Sequence, residues 1–295
     1  MTRLTEFAPA KINLSLHVGP PKENGRHNLV SLVTFSDRET ADLVTAEPAS
    51  HFSVAVDGPF ARNSGPAKDN LILKAARAMN DALDGNAPPL AFRLQKNLPC
   101  AAGIGGGSSD AGAALRLIAR AHGGDNVRSL AETIAPLLGG DVLACLMNLP
   151  GFMSGEGETY EPVLSVPALP AVLVNPGTAC PTGAVFQAYD EGAPDQVPEH
   201  PPLPDNRTAV RAFQAWLSDN TINSLQSSAM SMHPEITKTL AALQALPSVR
   251  TVRMSGSGAT CFALFESFDA AQMGAAMLAD QNPDWWVRST LLGGG

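Results

Sequence analysis

Hydrophobic and polar residues alternate near the start of the chain. This period of two predicts a β-strand over residues 7–18, because successive side chains of a strand point to opposite faces. Lys11 lies on the polar face, where a lysine is either a solvated charge at a sheet edge or a cation held for a specific purpose; its position alone favours the edge charge. Short apolar runs predict further strands at residues 29–35, 51–56, 90–94, 171–175 and 285–290 and within 254–265.

Apolar residues spaced three and four positions apart predict helices between these strands. Asp141 directly follows Gly139-Gly140, so it is either a cap for the apolar segment 142–149 or a carboxylate with a chemical role. The order of strands and helices, with a closing strand near the end, indicates an α+β fold in which helices pack on sheets. Helices are predicted at residues 70–83, 108–122, 127–138, 181–189, 209–217, 235–246 and 268–279.

A glycine-rich stretch precedes the second predicted helix. Its glycines allow a positive φ and a close approach of the backbone to a ligand, and Ser108 or Ser109 is expected to cap the helix. Unpaired N–H groups and the positive end of the helix dipole favour an anion at this point, by about 0.3–1 kcal/mol. The stretch therefore predicts a phosphate-binding loop, with a turn that binds no ligand as the alternative. It reads Leu98-Pro-Cys-Ala-Ala-Gly-Ile-Gly-Gly-Gly-Ser-Ser-Asp-Ala-Gly-Ala-Ala-Leu115.

Two common phosphate loops do not fit this stretch. A Walker loop requires Lys directly before the Ser or Thr, where this chain has Gly107. A dinucleotide-binding fingerprint belongs to the first strand-helix-strand unit, whereas this loop lies a third of the way along the chain.

The composition is that of a globular protein, with 44% hydrophobic and 16% charged residues. No apolar run is long enough to span a bilayer and the first residues lack the apolar core of a signal peptide, so we expect a cytoplasmic protein without a membrane partner. The net charge of −8 argues against nucleic acid as a partner. The cysteines are widely spaced, so free thiols are expected rather than disulfides or a zinc site.

Three glycine-bearing or lysine-bearing motifs occur in a fixed order: Ala8-Pro-Ala-Lys-Ile-Asn-Leu14, the loop over residues 99–111, and Met254-Ser-Gly-Ser-Gly-Ala-Thr260. Together they resemble the GHMP kinase superfamily from Ala8 to about Leu292. The resemblance implies a two-domain α+β fold, with a ribosomal-protein-S5-like ATP-binding and catalytic domain over residues 1–163 and a ferredoxin-like α/β sandwich domain over residues 164–295.

Within the superfamily, the motifs are most similar to those of the kinases that use ATP and Mg²⁺ to phosphorylate the 2-hydroxyl of 4-diphosphocytidyl-2-C-methyl-D-erythritol, in the non-mevalonate pathway of isoprenoid biosynthesis. Asp141 matches the catalytic aspartate of that group and Lys11 its catalytic lysine, which reverses the separate interpretations of both positions. A carboxylate is suited to accept the proton of the attacking hydroxyl, and an ammonium group stabilises the developing negative charge. The substrate is therefore expected to be a small molecule, with the chain a monomer or a homodimer.

The resemblance also assigns binding residues. Arg26 is a departure, because related kinases carry a Tyr that stacks on the cytosine ring; a guanidinium plane can also stack on a base. Ser108 or Ser109 is expected to face Mg²⁺. The ATP loop comprises Pro99, Cys100, Ala101, Ala102, Gly103, Ile104, Gly105, Gly106, Gly107, Ser108 and Ser109; the third motif comprises Ser255, Gly256, Ser257 and Gly258; and Asn13, Arg26, His27, Lys96, Thr182 and Phe186 are assigned to the substrate.

Three alternatives remain at this stage. The chain is another GHMP small-molecule kinase, of the homoserine or mevalonate type, if only its ATP half is shared with the cytidylyl group. It is an RNA-binding module if only the N-terminal fold is retained, although the acidic charge and the Lys11 and Asp141 pair argue against this. It is an inactive nucleotide-binding protein if turnover has been lost.

Overall fold

The computed structural model of the chain describes residues 3–124, 126–163, 166–192, 200–205 and 208–293. The chain folds into two compact units, each built from several segments. Because each unit combines several segments, the units do not test a single domain boundary at residue 163, and that boundary stays a prediction. Unit 1 comprises Met1–Ala10, Ala41–Cys100 and Gly105–Asn148, and unit 2 comprises Lys11–Thr40, Ala101–Ile104 and Leu149–Gly295.

Unit 1 contains one sheet with helices packed on it. Its elements are β1 (Leu4–Pro9), β5 (Ala41–Pro48), β6 (Ser53–Asp57), α1 (Leu71–Ala82), β7 (Leu90–Gln95), α2 (Gly106–His122), α3 (Val127–Leu138) and α4 (Val142–Met147). Strand β5 pairs antiparallel with β1 and β7, and β6 joins β7 in parallel, which gives the order β1-β5-β7-β6.

The helices of unit 1 follow the predicted periodicity. Asn70 caps α1 by accepting a hydrogen bond from the Ile72 N–H at 2.9 Å, and the apolar side of α1 is buried. Helix α2 is rich in alanine and glycine, and this allows close packing: a Cβ added at Gly112 would lie 2.7 Å from the carbonyl carbon of Cys145 in α4. The predicted helices over residues 70–83 and 127–138 are confirmed.

Unit 2 contains two sheets. Its elements are β2 (Lys11–Asn13), β3 (His17–Pro21), β4 (His27–Phe35), β8 (Gly151–Gly155), β9 (Thr159–Pro162), β10 (Leu169–Asn175), α5 (Thr182–Asp190), α6 (Val210–Asn220), α7 (Gln226–Met232), α8 (Pro234–Gln244), β11 (Val249–Met254), β12 (Cys261–Phe265), α9 (Phe268–Gln281) and β13 (Trp286–Leu292). One sheet has the order β2-β4-β8-β9, with β3 also paired to β4, and the other has the order β11-β12-β10-β13. Helices α8 and α9 pack on the second sheet, whose strand β10 is buried along its whole length.

The prediction of one strand over residues 7–18 is wrong. The chain leaves the first strand after Pro9, and β1 joins the sheet of unit 1 whereas β2 and β3 join a sheet of unit 2. Polar and apolar residues alternate on both sides of the break, and all residues from Ala8 to Val18 are buried, so neither the sequence pattern nor burial marks the point where the chain changes sheet. In the described part of the chain, no helix has both the length and the apolar character needed to cross a membrane.

Candidate active site

The glycine-rich loop starts a long helix in unit 1. Gly105 has a φ of +61° and forms the N-cap of α2, whose first residue is Gly106. The expectation that Ser108 or Ser109 caps the helix is wrong, since the left-handed Gly105 starts the helix earlier and both serines lie in it. The N–H groups of the first turn have no acceptor within the helix. This end of α2 therefore has the donors and the dipole that a phosphate group requires.

The two serines have different environments. Ser108 is half-buried, whereas Ser109 is fully buried and its hydroxyl has no hydrogen-bond partner among the described residues. Asp141 occupies the N-cap position of α4, but its side chain makes no capping hydrogen bond. The interpretation of Asp141 as a simple helix cap is therefore wrong.

Lys96 lies directly after β7 in a buried ion cluster. Its Nζ donates to Asp42 Oδ2 at 2.5 Å and to Asp110 Oδ2 at 2.6 Å. Burial opposes the charged form of Lys96, but the two carboxylates outweigh this and raise its pKa. Burial, together with the Asp42 carboxylate, raises the pKa of Asp110 even though Lys96 opposes this. The assignment of Lys96 to the substrate stays a prediction, whereas its contact with these two carboxylates is an observation.

Lys11 and Asn13 lie on β2 in unit 2. Lys11 is buried, and its Nζ donates to Asn13 Oδ1 at 2.9 Å. The Asn13 amide donates in turn to the Ser31 hydroxyl at 2.7 Å, and the Asn13 N–H donates to the Ser255 hydroxyl at 3.1 Å. A lysine held in this way is not a solvated charge at a sheet edge.

The loop segment Ala101–Ile104 packs against the third glycine motif within unit 2. The Ser255 hydroxyl donates to the Gly103 carbonyl at 3.0 Å, and the Ile104 carbonyl accepts from the Lys11 N–H at 2.9 Å. Gly103 has a φ of +74°, and a Cβ added there would lie 2.5 Å from the Ser255 carbonyl oxygen. The third motif therefore fixes the backbone of this segment, and only glycine fits at its closest approach.

Most of the residues assigned to the acceptor also lie in unit 2. The His27 ring stacks at a tilt on Phe186, with 4.8 Å between the ring centres, and its Nε2 bonds to Asp190 Oδ1 at 2.7 Å. Thr182, the first residue of α5, shares a hydrogen bond of 2.9 Å with the Ser257 hydroxyl. Helix α5 therefore connects the third motif to the aromatic pair.

Arg26 forms an ion pair at the surface. Its guanidinium is exposed and donates to Glu156 Oε2 at 3.2 Å, beside Lys22, whose Nζ lies 2.6 Å from Glu156 Oε1. Hydrogen bonds from Lys22, Asn24 and Arg26 lower the pKa of Glu156 to about 2. The predicted stacking of Arg26 on a base stays a prediction.

Two family models match the chain, one described as the GHMP kinases N terminal domain over residues 70–154 and the other as GHMP kinases C terminal over residues 206–284. A 4-diphosphocytidyl-2-C-methyl-D-erythritol kinase from Hyphomonas neptunium is 48% identical over 293 residues, which cover 98% of this chain and 97% of that protein. The chain belongs to the 4-diphosphocytidyl-2-C-methyl-D-erythritol kinase family of GHMP kinases. Like the other members of this family, it is a phosphotransferase with an alcohol group as acceptor.

Solved structures agree with this family. A crystal structure of 4-(cytidine 5'-diphospho)-2C-methyl-D-erythritol kinase is 31% identical, has a TM-score of 0.78, and the match covers 99% of this chain and 100% of that one. A homoserine kinase from Cytophaga hutchinsonii is 16% identical with a TM-score of 0.68 over 99% of this chain and 96% of its own, and it shares the fold alone. The predicted α+β fold of a two-domain GHMP kinase is confirmed. ATP is accordingly the phosphoryl donor of this kinase family.

Several residues beside the predicted site were missed from the sequence. Asp190 lies four positions after Phe186 on α5, and this spacing is the one signal that would have placed both on one side of a helix. Asp110 follows the two serines of the loop directly, but nothing in the sequence connects it with Lys96. Asp42, 54 residues before Lys96, has no sequence signal at all.

Proposed function

We propose that this chain transfers the γ-phosphoryl group of ATP to the 2-hydroxyl of 4-diphosphocytidyl-2-C-methyl-D-erythritol, a step of non-mevalonate isoprenoid biosynthesis. The observation that carries the proposal is the 48% identity, over almost the whole chain, with a relative named for this activity. A small-molecule acceptor, a cytoplasmic location and the absence of nucleic acid partners belong to the same proposal.

In this proposal Asp141 accepts the proton of the attacking 2-hydroxyl. Asp141 lies partly exposed at the start of α4, and its side chain does not cap that helix. The Lys11 ammonium, held by Asn13, stabilises negative charge on the transferred phosphoryl group. Positioning and electrostatic stabilisation account for most of the catalysis of phosphoryl transfer.

The ATP phosphates are proposed to lie at the N-terminus of α2, over residues 99–109. Proteins hold Mg²⁺ through few of their own oxygens and through substrate phosphates, and at this site the ion would neutralise phosphate charge when bound. The residues present fit this requirement, because the half-buried Ser108 has a hydroxyl at the start of α2. Ser108 is the proposed protein ligand, since the hydroxyl of Ser109 is buried.

The acceptor is proposed to bind through unit 2. The His27 ring, fixed by Asp190 and packed on Phe186, is suited to contact the cytosine, and Asn13 and Thr182 supply polar groups near the third motif. Arg26 is proposed to stack on the same base in place of the usual Tyr.

A steady-state assay of ADP release tests the proposal. The purified chain is supplied with ATP and Mg²⁺ and, in separate reactions, with 4-diphosphocytidyl-2-C-methyl-D-erythritol, mevalonate and homoserine. We expect acceptor-dependent ADP release only with the cytidylyl compound. Faster turnover of mevalonate or homoserine would contradict the proposed substrate, and no turnover of any acceptor would contradict the proposed activity.

A further inference from the structure

A buried cluster of three charged side chains packs against the start of α2. Lys96 bonds to Asp42 and Asp110 at 2.5 and 2.6 Å, and no more than 5% of any of these three side chains is exposed. Transferring charges from water into a protein is costly, and a well-packed apolar trio of similar volume is often at least as stabilising as a buried ion cluster. Stability alone therefore does not explain the cluster.

The cluster also fixes the backbone that leads into the phosphate loop. The second oxygen of Asp42 accepts the N–H groups of Asn97 and Leu98 at 2.6 and 2.8 Å. The backbone of Lys96 donates to the Asp57 carbonyl at 2.7 Å and accepts from the Phe60 N–H at 3.1 Å. The lysine therefore cannot shift without breaking several hydrogen bonds.

The Lys96 ammonium lies against the first residue of α2. A Cβ added at Gly106 would lie 3.2 Å from Lys96 Nζ and 3.9 Å from Asp42 Oδ2. Asp110, on the same helix, is tied to Lys96 through one oxygen, whereas its other oxygen is buried and has no partner among the described residues. The cluster thus joins β5, the end of β7 and the first turns of α2.

We propose that Asp42, Lys96 and Asp110 are positioning residues for nucleotide binding. They hold the entry to the loop and the first turn of α2 in one fixed arrangement, so that the N–H groups of that turn are directed at the phosphates before ATP arrives. This proposal replaces the assignment of Lys96 to the substrate: its ammonium binds the two carboxylates and does not contact the acceptor. This inference rests on the proposed use of the loop for ATP.

The test replaces Lys96 with Met, which keeps most of the side-chain volume and removes the charge. Arg93→Met is the matched control, because Arg93 lies on the same strand and forms an exposed ion pair of 2.7 Å with Asp57. The measurements are the Kd of a non-hydrolysable ATP analogue by calorimetry, the KM of the acceptor and the unfolding transition in urea. Nucleotide binding is measured without any acceptor, so it remains informative if the proposed acceptor is wrong.

We expect K96M to weaken binding of the ATP analogue by about 10- to 100-fold, the size of effect found when outer-shell partners of a metal site are removed. The acceptor KM should change less than about threefold, and R93M should change neither value. A raised acceptor KM with unchanged nucleotide binding would overturn the proposal, because Lys96 would then contact the acceptor. Reduced stability with both constants unchanged would also overturn it, because the cluster would then be merely structural.

Asp110→Asn is the second variant and decides the question if K96M does not fold. It preserves shape and leaves Lys96 paired with Asp42, so we expect the same selective loss of nucleotide affinity with a smaller amplitude. Unchanged nucleotide affinity in folded D110N would overturn the role of Asp110 as a positioning residue.

Discussion

Gly103→Ala tests whether the third motif fixes the loop. The substitution places a Cβ 2.5 Å from the Ser255 carbonyl oxygen and 2.8 Å from both the N and O atoms of Gly258, all of them backbone atoms that cannot rotate away. The φ of +74° adds the cost of a left-handed alanine, about 1–2 kcal/mol. Overpacking adds roughly 1–3 kcal/mol, so the free energy of unfolding should fall by about 2–5 kcal/mol.

Gly177→Ala separates the two contributions. Gly177 lies in the same unit with a φ of +79°, but an added Cβ would meet nothing within 4 Å. The free energy of unfolding of Gly177→Ala should therefore fall only by the conformational cost of a left-handed alanine, about 1–2 kcal/mol. Urea unfolding at pH 7 measures both variants, and the difference between them gives the steric part.

The same loop carries the nucleotide site in our proposal, so Gly103→Ala should also weaken binding of a non-hydrolysable ATP analogue, whereas Gly177→Ala should not. Equal losses of stability in the two variants would refute the steric argument. They would show that the third motif moves away from Gly103 at no cost.

Three further predictions concern the acceptor, the proposed base and pH. Arg26→Ala should raise the KM for the cytidylyl substrate about 5- to 150-fold with the KM for ATP near normal, because stacking on a base contributes ~1–3 kcal/mol. Asp141→Asn should still bind ATP while kcat falls by several orders of magnitude, because the amide accepts no proton. Burial, with smaller contributions from His200 and Arg253, lowers the pKa of His17 to about 4, so folded His17 resists protonation and its contribution to stability should be lost as the pH falls from about 6.5 to 4.

The predictions for Arg26 and His17 have control variants, and that for Asp141 has a refuting result. Lys22→Ala removes another partner of Glu156 but no stacking plane. An equal rise in KM in this variant would mean that the Arg26 effect comes from a changed turn and not from lost stacking. Near-normal kcat in Asp141→Asn would remove Asp141 from its role. His17→Gln should flatten the loss of unfolding free energy on acidification, whereas the exposed His51→Gln should not; parallel curves for wild type and His17→Gln would contradict the argument.

Local patterns in the sequence predict most helices well. The apolar spacing and the stop at Gly139 place α3 at its observed residues, and Asn70 caps α1 as its residue type favours. Strand β5 was not predicted, because it is buried between β1 and β7 and its residues carry no clear alternation. The start of α2 was misplaced because the sequence alone does not show which of several glycines adopts a positive φ.

The candidate site was predictable where it consists of motifs and unpredictable where it depends on distant contacts. Lys11, the loop and the third motif are candidates from the sequence because each has a short recognisable pattern, and their roles stay predictions. Asp42, which contacts Lys96, and Asp190, which contacts His27, come from remote segments, separated by 54 and 163 residues from their partners. Such pairs are formed by tertiary packing, so single-sequence patterns contain no signal for them.

The proposed reaction places the phosphoryl group on the tertiary 2-hydroxyl of the cytidylyl substrate. A proton-coupled phosphorus NMR spectrum of the reaction with ATP and Mg²⁺ tests it directly, because the carbon bearing that hydroxyl has no hydrogen. We predict one new phosphomonoester signal without three-bond coupling to a proton, formed at the rate of ADP release. A new signal split by carbinol protons would place the phosphate on another hydroxyl and contradict the account, as would ADP release without any new phosphomonoester.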